Sequence, residues 1–231
     1  MIDILTGLKR FQDDVYPSHR ALFAHLADNQ QPRALFITCS DSRVVPNLIL
    51  QAEPGDLFLI RNAGNIVPPL GSADGGGTVA SIEYAVEALG ITDVILCGHT
   101  NCGAMKGILH PEKVASMPNV AAWVQHAEPA RREVEKLFPG LDEHERMERM
   151  VEQNVIQQVK NLLTHPFIRS RVEGARMEIY GWVYDIRSGL VRGLDEEGKK
   201  FSEIHFESHG SPDEKRMLRE LEKDEEFWER I

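Results

Sequence analysis

Two short segments concentrate residue types suited to metal chemistry: Cys39-Ser40-Asp41-Ser42-Arg43 and Cys97-Gly98-His99-Thr100-Asn101-Cys102-Gly103. Cysteine and histidine together suit zinc, which takes nitrogen and sulfur ligands in a tetrahedron. His99-x-x-Cys102 leaves an apolar run and enters a turn where Gly98 and Gly103 permit a tight backbone, so both side chains can face one ion. Cys39 supplies a third strong ligand. Three such ligands plus one exchangeable position is the pattern of a catalytic zinc, whereas structural sites are closed. The fourth candidate is Asp41, a displaceable carboxylate with Arg43 two residues away. The expectation is a switch in which Asp41 either binds the metal or pairs with Arg43. Two thiolates bring the formal charge of the site near zero. They should acidify bound water less than three histidines do, where its pKa is ~7, so chemistry by that water should speed up toward alkaline pH. Cys97 is read as a small core thiol, because one coordination position must stay open. His110, His126, His144, His165, His205 and His209 show no ligand-like spacing.

Both clusters follow apolar runs. Ala34-Leu35-Phe36-Ile37-Thr38 and Asp93-Val94-Ile95-Leu96-Cys97 read as strands, the first buried on both faces, with another at Leu57-Phe58-Leu59-Ile60. In an open α/β sheet, sites form at the carboxyl ends of strands where connections diverge, and both clusters occupy such ends. A Gly- and Pro-rich loop covers Asn62 to Gly77, followed by a helix with Ile82, Ala85, Val86 and Leu89 on one face. A long helical stretch runs from about Val114 to Leu163, interrupted at Pro129 and at Phe138-Pro139-Gly140. It carries the stripe Met147, Val151, Val155, Val159 and Leu162. A fourth strand spans Met177 to Tyr184 and a fifth Leu190 to Leu194, joined by a turn near Ser188-Gly189. Ile2, Leu5, Leu8 and Phe11 recur at helical spacing, and a second short helix covers His19 to Leu26. Ser211-Pro212-Asp213-Glu214 has the form of a capping box opening a C-terminal helix. The expected fold is α/β: a mainly parallel central sheet flanked by helices. It forms one domain over residues 1–231, with an N-terminal helical arm over 1–28 and a C-terminal helix over 211–231.

A net charge of -10 disfavours nucleic acid and anionic membranes as partners. No apolar run is long enough to span a bilayer. Met1-Ile2-Asp3-Ile4 lacks the basic start and apolar stretch of an export signal, which points to the cytosol or a compartment enclosed within it. Three cysteines without such a signal do not suggest a disulfide framework.

Cys-x-Asp-x-Arg followed by His-x-x-Cys resembles the β-class carbonic anhydrases. The likeness is close from Gln30 to Gly107, includes Arg61-Asn62-Ala63-Gly64-Asn65, and extends more loosely to Gly181-Trp182-Val183-Tyr184-Asp185. The resemblance implies a lyase that reversibly hydrates CO₂ to bicarbonate and a proton through a zinc-bound hydroxide. Cys39, His99 and Cys102 would be the zinc ligands, and Asp41 with Arg43 the dyad that closes the metal site or orients the hydroxide. Gln30 would donate to substrate oxygen, with the Gly103 N–H nearby. Phe58, Ala63 and Tyr84 match positions lining the pocket across a dimer interface, with Ala63 smaller than the family's usual Val. Phe36 stands where an allosteric bicarbonate-binding subgroup carries Trp, so that regulatory site is not expected. The family forms obligate dimers, often assembled into tetramers or larger rings. Asn62 to Pro69 looks closest to carboxysomal members, making a carboxysome the alternative to the open cytoplasm.

Three other functions fit parts of the pattern. The same nucleophile could hydrate CS₂ or COS. Asp41 could close the site permanently, leaving a noncatalytic zinc module. A nucleotide-binding reading of Gly71-Ser72-Ala73-Asp74-Gly75-Gly76-Gly77-Thr78 fails for want of the Gly-Lys-Ser/Thr ending and of a direct strand-to-helix junction.

Overall fold

The computed structural model describes residues 3–72, 76–195 and 197–204. Its centre is a six-stranded sheet in the order β2-β1-β3-β4-β5-β6. The strands are β1 (Ala34–Cys39), β2 (Leu57–Asn62), β3 (Asp93–His99), β4 (Glu178–Tyr184), β5 (Val191–Leu194) and β6 (Phe201–Glu203). The first four pair in parallel, and β5 and β6 add an antiparallel edge. β1 is buried at all six positions, as its unbroken apolar run demands for a strand covered on both faces. The sixth strand is a correction to the sequence reading: Phe-Ser-Glu is too short and too polar to register as an apolar pattern, and it forms by pairing with β5.

Two helices of the N-terminal arm, α1 (Ile4–Arg10) and α2 (Arg20–Leu26), leave Ile4, Leu5, Leu8 and Phe11 exposed. Phe11, Tyr16 and Phe23 pack on one another, and Leu26 seats against Gly55 of the body. Next come α3 (Gly76–Glu83), which runs on through Tyr84–Ala88 as a π-helical turn, and α4 (Gly103–Leu109). The long helical stretch resolves into α5 (Pro118–Val124), α6 (Glu128–Leu137) and α7 (Glu143–Leu163), followed by α8 (Pro166–Glu173). The break expected at Pro129 instead falls at the 3₁₀ turn Gln125–Ala127. Pro129 sits in the first turn of α6, where its missing N–H has no helical partner to lose. The C-terminal helix expected over 211–231 lies outside the described residues.

α7 opens on a capping box between Asp142 and Glu145, set up by the Phe138-Pro139-Gly140 break. Met147, Val151, Val155 and Leu162 are buried along it, with Val159 half-buried. Beside that stripe lie three buried polar residues, Asn154, Gln158 and Asn161, at positions that share a helix face. They reach the chain that leaves β2. Asn154 Nδ2 donates to Gly64 O, Val67 N donates to Gln158 Oε1, and Asn161 Nδ2 donates to Val67 O. A buried loop has peptide groups that must find partners, and here one helix supplies them.

α7 crosses β3 at Gly98, where an added Cβ would stand 2.8 Å from Val155 Cγ2. Gly98→Ala should therefore destabilise the fold by about 1–3 kcal/mol through overpacking, read as a lower urea midpoint. The pair Gly98→Ala with Val155→Ala should lose less than the sum of the two single variants. Strict additivity would mean that the helix simply shifts aside.

Candidate metal centre

The path of the chain through the sheet creates the site. From β1 it moves to β2 on one side, then crosses back to β3 on the other side and on to β4. The connections after β1 and β3 thus diverge, leaving a crevice at the carboxyl ends of these neighbours, where an α/β sheet places its ligands. Cys39 ends β1, His99 ends β3, and Cys102 is the residue that enters α4. Their ligand atoms all lie within 4.8 Å of one another, and all three residues are buried. The two sulfurs are 3.9 Å apart.

The donor set fits a soft dication. His99 is fully buried, and its Nδ1 donates to Thr100 O at 2.9 Å, which leaves the Nε2 lone pair facing the cluster. Nε2 has no hydrogen-bond partner, a costly state for a buried nitrogen unless a ligand takes it up. Cys39 is held low by the Cys102 S–H, by His99 and by the Gly64 N–H; Cys102 is pushed up by the sulfur beside it and by burial. Alone, the pair retains a proton. A dication in its place lets both ionise, as metal-bound thiols do. Cys97 packs instead with Ala34, Phe36 and Ile95 on the opposite side of the sheet. Burial there pushes its thiol up to about 12, so it is the core residue expected.

Asp41 is turned toward Arg43. Arg43 Nε donates to Oδ1 at 2.9 Å, its terminal nitrogen to Oδ2 at 2.8 Å, and its backbone N–H to Oδ1 at 3.0 Å. These bonds hold the carboxyl well below the usual carboxylate range. Oδ2 is still only 3.8 Å from His99 Nε2, so the carboxylate stands over the cluster while both its oxygens are engaged by Arg43. Of the two states expected for Asp41, this is the arginine-paired one.

Several further residues support the ligands, in segments that the family likeness included without giving them a role. Arg61 on β2 donates to Cys39 O and Asp41 O and fixes the backbone of the first motif. Gly64 donates its N–H to Cys39 Sγ at 3.4 Å. Asp185 accepts from Thr100 Oγ1 and so braces the residue whose carbonyl orients His99. Gly64 acts through a main-chain group, which every residue type owns, whereas Arg61 and Asp185 act through their side chains. Asp185 could have been flagged as the acid ending the fourth strand.

The pocket residues are less gathered. Gly103 is exposed at the start of α4, next to Cys102. Gln30 is exposed in the connection before β1, without a hydrogen bond to the cluster. Phe58 is half-buried against the core, its ring 6.2 Å from that of Tyr84, which is 49% exposed. A cavity of about 840 Å³ reaches Arg43, with Met147 and Ile186 on its wall beside Lys106 and Glu143. Among the remaining histidines, His165 is buried and bonded to Pro68 O, His110 pairs with Glu143, and His205 and His209 lie outside the described residues.

A family profile described as carbonic anhydrase matches residues 34–191. The carbonic anhydrase of Pseudomonas aeruginosa is 49% identical over 201 residues, covering 87% of this chain and 90% of that one. The carbonic anhydrase of Synechococcus elongatus is 49% identical over 192 residues, covering 83% of this chain and 70% of its own. Among solved structures, the β-carbonic anhydrase CcaA superposes with a TM-score of 0.85 at 44% identity, covering 88% of this chain and 92% of that one. A tetrameric β-carbonic anhydrase from Sordaria macrospora gives 0.74 at 32% identity, over 83% and 94% of the two chains.

Proposed function

We propose, from the premise that this chain belongs to the β-class carbonic anhydrases, that it interconverts CO₂ and bicarbonate at the Cys39–His99–Cys102 cluster with zinc as its ion. What carries this reading is the geometry of four side chains: three ligand atoms converge within 4.8 Å, while the fourth candidate is clamped to an arginine. Cys39, Cys102 and His99 would hold zinc, which would supply the Lewis acidity to make a hydroxide nucleophile, at a pH above the ~7 of a three-histidine site.

The protein's own groups do the rest. Asp41 Oδ2 accepts one bond from Arg43 and keeps its other lone pair beside the cluster, where it accepts the O–H of the attacking nucleophile and turns the reactive lone pair toward carbon. Arg43 fixes the carboxylate so that this acceptor does not wander, a positioning role. As the family resemblance implies, the Gly103 N–H is the backbone donor for the developing charge on substrate oxygen. Gln30 and Tyr84 are exposed on their own chain and Phe58 is half-buried beside Tyr84; they serve the site of a second copy, Gln30 as donor and the two rings as apolar wall. Bicarbonate then leaves and a proton passes to solvent.

The pH dependence follows with its sign. The folded pKa of Asp41 is depressed, so the stability its pairing with Arg43 contributes is fully present above the unfolded value of ~3.9 and is lost as pH falls through the lower folded value. The clamp does not titrate between mildly acidic and alkaline pH, and the rate follows ionisation of the nucleophile alone. Stopped-flow CO₂ hydration should therefore rise steadily from neutral to alkaline pH as a single ionisation. A profile flat over that range would remove the support for this mechanism. Zinc-loaded protein inert at every pH would favour a structural metal instead.

A further inference from the structure

The Cys39 sulfur receives a backbone hydrogen bond whose two neighbouring carbonyls are both held by side chains from helices. Gly64 N–H points at Cys39 Sγ, 3.4 Å away. That N–H belongs to the Ala63–Gly64 peptide, whose carbonyl accepts from Trp123 Nε1 at 2.8 Å. The next carbonyl, Gly64 O, accepts from Asn154 Nδ2 at 3.0 Å. Two donors, from α5 and α7, thus grip the chain on either side of one Cα.

Gly64 needs that grip. Its φ is +83°, a region open to glycine and costly for other residues, and its backbone is intrinsically mobile. A side chain here is also excluded by space, because a Cβ would stand 2.9 Å from Ala104 Cβ. Asn154 is itself fixed: Gln158 Nε2 donates to its Oδ1 at 2.9 Å, which leaves Nδ2 as the group facing Gly64 O. A hydrogen bond to a peptide carbonyl polarises the N–H of the same peptide, so the indole both orients and strengthens the donor on sulfur. Outer groups of this kind set how a ligand is aimed and how much charge it gives its ion.

We propose that Trp123 and Asn154 are positioning residues for the metal centre, holding the Gly64 N–H on the Cys39 thiolate. This rests on the zinc reading above. Neither residue touches the ligands or the reactants; each acts through the main chain of residues 63 and 64. Withdrawing charge from one thiolate strengthens the ion as a Lewis acid, and fixing the donor keeps Cys39 aimed.

Trp123→Phe removes the indole N–H and keeps an aromatic ring in place, and Asn154→Leu removes the amide at similar volume. Each would be prepared metal-free, loaded with cobalt(II), and compared with wild type by chelator competition and by the thiolate-to-cobalt charge-transfer band. Both variants should bind the metal ~10–100-fold more weakly and move the band to lower energy, as expected of a lost outer partner and a more electron-rich sulfur. Asn161→Leu is the control: it breaks bonds to Val67 O on the same loop and to Gln158 Oε1, but keeps the Trp123 and Asn154 donors to residues 63 and 64 and the Gln158 Nε2 bond to Asn154. It should lower the melting temperature of the metal-free protein and leave the band unmoved. The proposal is overturned if Trp123→Phe and Asn154→Leu lower only the melting temperature, or if Asn161→Leu shifts the band as they do. A wild-type protein with no thiolate-to-cobalt band would take the zinc reading down with it, whereas an intact wild-type band insensitive to both variants would sink this proposal alone.

Discussion

Cys102→Ala should yield a folded protein that no longer retains zinc and no longer accelerates CO₂ hydration. Cys102 is 1% exposed and its sulfur lies 3.9 Å from that of Cys39. Removing it leaves one thiolate and one imidazole, and takes away half the negative charge that matches the dication. Losing an outer-shell partner typically costs 10–100-fold in metal affinity, so loss of a direct ligand should exceed ~100-fold. The packing cost is small by comparison, because cysteine to alanine removes one atom from a core that retains Met105 and Val67. Metal content by atomic emission should fall well below one per chain after dialysis, while the far-ultraviolet dichroism stays close to wild type. A fully active, zinc-loaded Cys102→Ala protein would falsify the ligand assignment.

Asp41→Ala separates holding the metal from using it. The three ligands do not include Asp41 in the arginine-paired state, so zinc should stay bound at wild-type stoichiometry. The acceptor for the nucleophile's O–H is gone, and Arg43 is left with only a 3.4 Å contact to Asn101 O. Loss of a positioned proton acceptor costs on the order of 10²–10⁴ in rate, and the expected fall in kcat lies in that span. Asp41→Asn should fall nearly as far: the amide retains the shape but presents a donor where an acceptor is required. If either variant lost its metal along with its activity, Asp41 would be a resident ligand and the arginine-paired arrangement would not be the working one.

The sequence made the metal-binding side of this site legible because strands buried on both faces write themselves as unbroken apolar runs. Ala34–Cys39 and Asp93–His99 could be placed, and with them the ends on which Cys39 and His99 sit. Chemistry-bearing side chains at two strand ends then implied a shared crevice before any pairing was known. What stayed hidden belongs to three kinds. The peptide groups of Gly64 and Thr100 act on sulfur and imidazole without any side chain to announce them. Trp123 and Asn154 read as parts of helices, one aromatic and one polar, because their partners are carbonyls distant in sequence. The strand Phe201–Glu203 is the third: it exists by pairing at an edge and not by its own apolar pattern.

The three amides along α7 also make that helix intolerant of a change in length. Asn154, Gln158 and Asn161 meet the loop only because their spacing brings them around to one side. One residue inserted between Asn154 and Gln158 would rotate everything after it by about 100°. Gln158 and Asn161 would swing away from the loop, and Val67 would lose the partners of both its peptide groups. The exposed Pro139-Gly140 turn just ahead of the same helix has no such register to keep and can lengthen freely. Homologous chains should therefore vary in length at that turn and not within residues 154–161.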